Sequence, residues 1–347
     1  MNSIQKSLVF KGTAKQYVLE ESEIPTPEQS EILVKVEAAG LTPSDWKIRD
    51  YYDLIVKNYP VMLGCDVAGI VEAVGENVDN FSIGDGVFGV TEIRDGARRF
   101  DQFVIISATT ACKIPNLISY DEACTLPVGM LTAYSGLYAD SPHGMGLTTP
   151  VRVPEGYNKY LNAPFVVLGG ASSVGQCVLQ FCRLSGFSPI ITTASSEHEE
   201  ALKKLGATHV LRRDLLPAEL AHQISVISKV PVQFIYDAVA SKDTQQLAFN
   251  LLAPGGSATF VLPIQVNHGR TDISIAEVYA TTSRQHNAQI YEELFRVKLY
   301  EWLEQRLISP NRYEVLPGGL NGVIQGLKKM EEGCVSRMKL MIHPQEG

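Results

Sequence analysis

Along the first 120 residues, apolar side chains alternate with polar ones or run in short β-branched stretches. This pattern predicts strands over Gln5–Phe10, Tyr17–Glu20, Ile32–Ala39, Asp66–Val74, Val87–Val90 and Gln102–Ile106. Between them Pro43–Tyr52 reads as a short helix, with Thr42 as its cap and Asp45 in its first turn. From Asp121 the period changes. A helix opens there and is interrupted at Pro127, and Ser141–Pro164, rich in Pro, Gly and Thr, reads as a long surface loop. Short apolar strands then alternate with helices of about ten residues. The strands are Phe165–Leu168, Pro189–Thr193, Thr208–Arg212, Val232–Tyr236 and Ala258–Leu262. The helices are Gly175–Ser185, Ser196–Leu205, Leu216–Ser228 and Thr244–Leu252. Such alternation implies right-handed βαβ crossovers and a parallel sheet. The tail predicts a long helix over Ala288–Arg306, a strand at Tyr313–Leu316, a helix over Leu320–Met330 and a last strand at Lys339–Ile342.

Length and composition narrow the class. The 347 residues exceed one ordinary hydrophobic core, so two domains are expected, and 45% hydrophobic content is enough to fill both. A net charge of −8 argues against nucleic acid or an anionic membrane as partner. No run approaches 18 apolar residues, and MNSIQKSLVFKG lacks the apolar stretch of a secretory signal. The six cysteines show neither a C-x2-C pair nor a disulfide framework, which fits reduced core thiols in a cytoplasmic protein.

The chemistry-bearing turn is VVLGGASSVG, Val166–Gly175, where an apolar strand meets a helix. Glycine suits a turn on which backbone must approach a pyrophosphate, and the helix start offers free N–H groups there. Gly170 and Gly175 fit the dinucleotide spacing, Ser172 replaces its middle glycine, and Ser173 and Val174 complete the turn. About 20 residues on, an NAD site carries an acid for the ribose 2′-hydroxyl. Here the strand ends in Ala194-Ser195-Ser196, which suits a 2′-phosphate, with His198, Lys203 and Lys204 as sources of charge. The two serines also read as helix caps.

GLTPSDWK, LGCDVAGIVEAVG, GDGVFG, LPVGMLTAY, VVLGGASSVG, LAPGG and VLPGGL follow one another over nearly the whole chain. In order and spacing the chain resembles the zinc-free, quinone-oxidoreductase-like side of the medium-chain dehydrogenase/reductase superfamily. It is most similar to fungal trans-acting enoyl reductases and their alkenal-reductase relatives. The resemblance implies an α/β protein with a GroES-like β-barrel catalytic domain and a Rossmann domain, a doubly wound parallel sheet for the cofactor. The expected borders are 1–123 for the first part of the catalytic domain, 124–285 for the Rossmann domain, and 286–347 for the return.

In the superfamily's zinc alcohol dehydrogenases a Cys stands at the position of Thr42, and Gly-His-Glu at that of Gly64-Cys65-Asp66. A catalytic zinc takes three protein ligands, so no metal is expected. The resemblance implies hydride transfer from NADPH to the β-carbon of an α,β-unsaturated carbonyl, with hydrogen-bond donors meeting the developing oxyanion. Lys47 matches a cleft lysine of the enoyl reductases and Thr132 a threonine near the nicotinamide amide. Thr42, Pro43, Tyr236 on the adenosine side, Leu262, and Leu316 in the LPGGL loop are the further implied cofactor residues. Tyr51 and Tyr52 are candidate proton donors. The expected substrate is a small enone or an enoyl thioester, and a polyketide synthase or carrier protein is the implied partner. Quinone reduction in the same cleft, or nucleotide binding without catalysis, are alternatives.

Overall fold

The computed structural model describes residues 4–11, 16–47, 63–91, 99–282 and 284–346. Tyr51 and Tyr52 lie outside the described residues. By its contacts the chain forms two units. One holds Met1–Val128, Leu299–Glu304 and Pro310–Gly347, and the other Gly129–Lys298 and Gln305–Ser309. The borders at 128 and 298 fall later than the 123 and 285 that the sequence suggests. Tyr291 accounts for the second: it is fully buried and donates its hydroxyl to the Leu131 carbonyl at 3.2 Å, which ties its helix to the second unit.

The first unit is built on strands. β1 (Ile4–Lys11) pairs antiparallel with β2 (Gln16–Glu23), and β6 (Arg99–Asp101) completes that sheet. β3 (Glu31–Gly40), β4 (Asp66–Val74), β5 (Gly86–Thr91) and β7 (Phe103–Lys113) pair in turn. β7 also returns to β3, so these four strands close on themselves and leave no free edge among them. β15 (Met338–Ile342) adds to β3 and carries β14 (Arg312–Val315). The alternation read from the sequence points Ile32, Val34, Val36, Val71 and Ile106 into one core with Phe100 and Ile342. Residues 43–47 form a short helix, α1, and Tyr120–Cys124 form α2, whose Ser119 and Glu122 make a reciprocal capping box.

The second unit opens with most of α3 (Pro127–Tyr138). A turn-rich segment then leads to a parallel sheet. Its strands are β8 (Phe165–Leu168), β9 (Ile190–Ala194), β10 (His209–Arg212), β11 (Phe234–Asp237), β12 (Ser257–Phe260) and β13 (Ser274–Glu277). They lie in the order β10-β9-β8-β11-β12-β13, so the chain reverses direction across the sheet between β8 and β11. Helices α4 (Ser173–Leu184), α5 (Glu199–Leu205), α6 (Pro217–Ser228) and α7 (Lys242–Leu251) make the crossovers. The expected helix over 288–306 is α8 (Gln285–Glu293), a π-helical stretch Leu294–Leu299, and α9 (Tyr300–Glu304) in succession. α10 (Gly322–Glu331) precedes β15.

The 141–164 segment lacks regular strands and helices, as expected, yet it is not merely a surface loop. Thr149 and Val151 are buried, the Thr149 hydroxyl bonds the buried Tyr134 hydroxyl at 2.5 Å, and Tyr160 stacks on Phe187 at 4.7 Å. No helix of the described residues is long and apolar enough to cross a membrane.

Candidate active site

In a doubly wound sheet, ligands bind beyond the carboxyl ends of the strands where the strand order reverses. Here that point is the end of β8, and the glycine turn lies on it. Gly169 has φ +82°, a conformation L side chains avoid, and its N–H donates to the Thr193 hydroxyl at 3.0 Å. A Cβ on Gly170 would stand 2.1 Å from Thr192 Oγ1, so any side chain there would drive the turn off β9. Ser172 caps α4 by accepting from the Gly175 N–H at 3.0 Å. Ser173 and Val174 are half-buried on the first turn of the helix.

The other expected groups of the second unit arrange themselves around this turn. A Cβ on Gly129 would lie 3.3 Å from Ser173, so the start of α3 runs beside the turn, and half-buried Thr132 follows within one helical turn. Ser195 is half-buried and Ser196 exposed at the end of β9, and Ser195 makes no side-chain cap bond. Leu262 lies two residues beyond β12, partly packed against the core.

Two expectations for this unit need correction. Tyr236 is wholly buried, and its hydroxyl donates to the Thr132 carbonyl at 2.8 Å. It therefore packs beneath α3 and steadies Thr132 instead of lining an adenosine surface. His198 is also buried, with Nε2 3.3 Å from Glu197 Oε1, so its ring is not presented to a phosphate. A further cation stands at this strand end. Arg213 is exposed just after β10, and its backbone N–H donates to the Ala194 carbonyl at 3.0 Å, which fixes it beside Ser195. Arg212 next to it is bound to Asp214 at 2.6 Å. The signal was present in the strand-end run VLRRD.

In the first unit, Lys47 ends the described part of α1, half-buried, with Nζ 5.7 Å from the centre of the Trp46 ring. Burial lowers its pKa from the usual lysine range. Pro43 and Ser44 are exposed at the start of α1, whereas Thr42 is buried. Asp45, fully buried, accepts from the Thr42 N–H at 2.6 Å, the Thr42 hydroxyl at 3.0 Å and the Gly64 N–H at 3.2 Å. Burial outweighs these bonds and pushes its pKa up to about 7. Leu316 is a further correction. It is 1% exposed and belongs to the apolar core, and the next two residues, Pro317 and Gly318, are the exposed part of LPGGL.

Cys65 and Asp66 resolve into structural roles. The Cys65 thiol is buried, and burial holds its pKa well above the usual range. Asp66 is fully buried, accepts from the Val128 N–H at 2.6 Å and faces the buried ammonium of Lys339 in an ion pair. Burial alone would lower Lys339, but the Asp66 carboxylate outweighs it and raises the ammonium. Among the described residues, no group of three or more His, Cys, Asp or Glu side chains stands in position to hold a metal ion.

Comparison with known proteins matches this geometry to a family. The family model described as alcohol dehydrogenase GroES-like domain covers residues 28–135, and that described as zinc-binding dehydrogenase covers 173–294. The chain belongs to the medium-chain dehydrogenase/reductase superfamily. Trans-enoyl reductase ACTTS2 of Alternaria alternata is 28% identical to it over 356 residues, spanning 97% of this chain and 98% of that protein. Among solved structures, the CurK enoyl reductase superposes with TM-score 0.73 at 22% identity over 98% of each chain. Mycobacterial Rv1454c complexed with NADPH superposes with TM-score 0.75 at 20% identity, over 99% of this chain and all of that one. The fold is thus the superfamily's: a GroES-like β-domain and a Rossmann sheet. The chain is similar to enoyl reductases and to quinone-oxidoreductase-like proteins of this superfamily.

Proposed function

We propose that the protein is a zinc-independent, NADPH-dependent reductase of the carbon–carbon double bond of an α,β-unsaturated carbonyl, acting on an enoyl thioester or enone. The observation that carries this reading is likeness to a trans-enoyl reductase along nearly the full length of both chains. The turn geometry fits the cofactor: Gly170 and Gly175 leave no space for side chains, and the N-terminal end of α4, where the helix dipole is positive, suits a pyrophosphate. Ser195, Ser196 and the positioned Arg213 would hold the 2′-phosphate, and Thr132 the carboxamide end. When bound, NADPH supplies the hydride.

The chain's own residues handle charge. Hydride gain at the β-carbon leaves an enolate, the Lys47 ammonium donates to its oxygen, and the α-carbon then takes a proton from solvent to give the saturated product. Thr42 in place of a thiolate supports zinc independence, since its hydroxyl is already bonded to Asp45. The trans-enoyl reductase likeness supports a polyketide synthase or its carrier protein as the partner delivering substrate.

The test measures NADPH oxidation with 2-enals, enoyl thioesters and quinones side by side. Turnover of the first two supports the proposal. Turnover of quinones alone replaces it with quinone reduction, and no turnover with nucleotide binding alone.

A further inference from the structure

Two guanidinium groups stand together at one end of the first unit. β15 runs antiparallel to β3, with Met341 opposite Gly40 and the Leu41 N–H bonded to the Leu340 carbonyl at 2.9 Å. The residues just before β15 therefore lie toward the end of β3 from which the chain continues into Thr42 and α1. Trp46 of α1, Val335 and Met338 pack against one apolar core. Arg337 is the last residue before β15, and Arg312 opens β14, where it stands opposite Met338. Arg312 thus neighbours Arg337 across the two strands, at the end of the unit that carries Lys47. Among the described residues neither guanidinium has an ion-pair or hydrogen-bond partner. The acids beside them are occupied: Glu314, two residues along β14 from Arg312, bonds Lys329 at 2.5 Å, and Glu332 lies 3.8 Å from Lys328.

Arg312 is exposed and Arg337 half-buried. The Arg337 Nε is buried with no acceptor, whereas the Nη end of its fork reaches the surface. Arg337 also holds φ +49°, a left-handed conformation that costs a residue with a side chain and that gathers at ligand clamps. Burial, and after it the Arg312 charge, lower its pKa from the usual arginine range. An anion between the two groups removes their repulsion, and guanidinium forks match phosphate oxygens in pairs. The phosphates of NADPH already have partners in the reading above, at α4 and at Ser195, Ser196 and Arg213. An enoyl thioester of a carrier protein or of coenzyme A brings one more phosphate, at the far end of its pantetheine arm. We propose that Arg312 and Arg337 form a binding site for this phosphate ester and hold the substrate by its arm while Lys47 meets the carbonyl. This rests on the enoyl-thioester reading above. The two arginines touch no reacting atom, so they act on binding and not on the chemical step.

The experiment measures kcat and KM for one enoyl group on three arms: the phosphopantetheine of a carrier protein, coenzyme A, and pantetheine without phosphate. Wild type is compared with Arg312→Gln and Arg337→Gln. Wild type should prefer the phosphorylated arms by about tenfold or more in kcat/KM, the worth of a charge-assisted contact. Each variant should lose most of that preference through a higher KM, with kcat unchanged and the pantetheine thioester affected less than twofold. Arg312 is exposed, so Arg312→Gln carries the test even if Arg337→Gln folds poorly. A loss on both phosphorylated arms supports a site for their shared phosphate, and a loss on the carrier protein alone supports it with the carrier as the source. Variants that slow the pantetheine thioester as much as the others, or that weaken NADPH in a titration, overturn the inference. A wild type that reduces all three arms equally also overturns it and leaves the enone reading standing. A wild type that reduces none of them overturns both.

Discussion

At the scale of single residues, charge decides most outcomes. Lys339 and Asp66 are buried facing each other, so removing one strands the other without water. Lys339→Met should lower unfolding stability by about 3–5 kcal/mol in guanidinium melts, whereas replacing both by apolar residues should recover most of the loss. Lys47→Ala should lower kcat by about 10²–10³ while a fluorescence titration gives nearly unchanged NADPH affinity. Ser195 and Arg213 should give NADPH a preference over NADH of about tenfold or more, since charge-assisted phosphate contacts are worth roughly 1.5–3 kcal/mol each. Ser195→Asp should narrow it, and equal affinities of wild type for the two cofactors would remove Ser195 and Arg213 from that role. Residue identity singles out Ser195 and Ser196 in the sequence, and the family resemblance singles out Lys47. It could not reveal that Tyr236, His198 and Leu316 are buried, because burial depends on which face of a strand or helix the tertiary packing covers.

At the scale of elements, the joint of β8, the glycine turn and α4 carries the cofactor reading. Its strand and both glycines were legible because each obeys a local rule, whereas the Ser172 cap emerges only from the structure. Gly170→Val should be felt twice, because the new side chain meets Thr192 on β9. Thermal melts should report a loss of about 1–3 kcal/mol for the overpacking, and titration a loss of NADPH binding beyond detection. Other elements were not legible. β13 is only four residues long and half polar, SIAE, and gains its strand geometry from pairing with β12. β6 is three residues long and exists because β1 offers it partners. Arg213 is not legible for the same reason: its place beside Ser195 comes from β10 lying against β9.

At the scale of the whole molecule, Asp45 couples the site to global stability. In the unfolded chain its carboxyl titrates near 3.8, and in the folded protein near 7. Between these values the folded state holds a proton that the unfolded state has lost, so the stability gained by protonation is complete below about 3.8 and is lost as pH rises through 7. The difference amounts to roughly 4 kcal/mol. Urea melts should show wild type losing about that much more than Asp45→Asn across this range. The two-domain plan was legible from the change of period near residue 121, yet the borders at 128 and 298 depend on which core claims α3 and α8. The central claim is a chemical one, hydride delivery to the β-carbon of a conjugated carbonyl. It is tested most directly by incubating the protein with NADPH deuterated at the transferable position and an enoyl thioester, then locating the label by mass spectrometry and NMR. The account predicts a saturated thioester carrying one deuterium on its β-carbon. An unsaturated product with deuterium on the former carbonyl carbon, or recovered substrate beside reduced quinone in a parallel reaction, would contradict it.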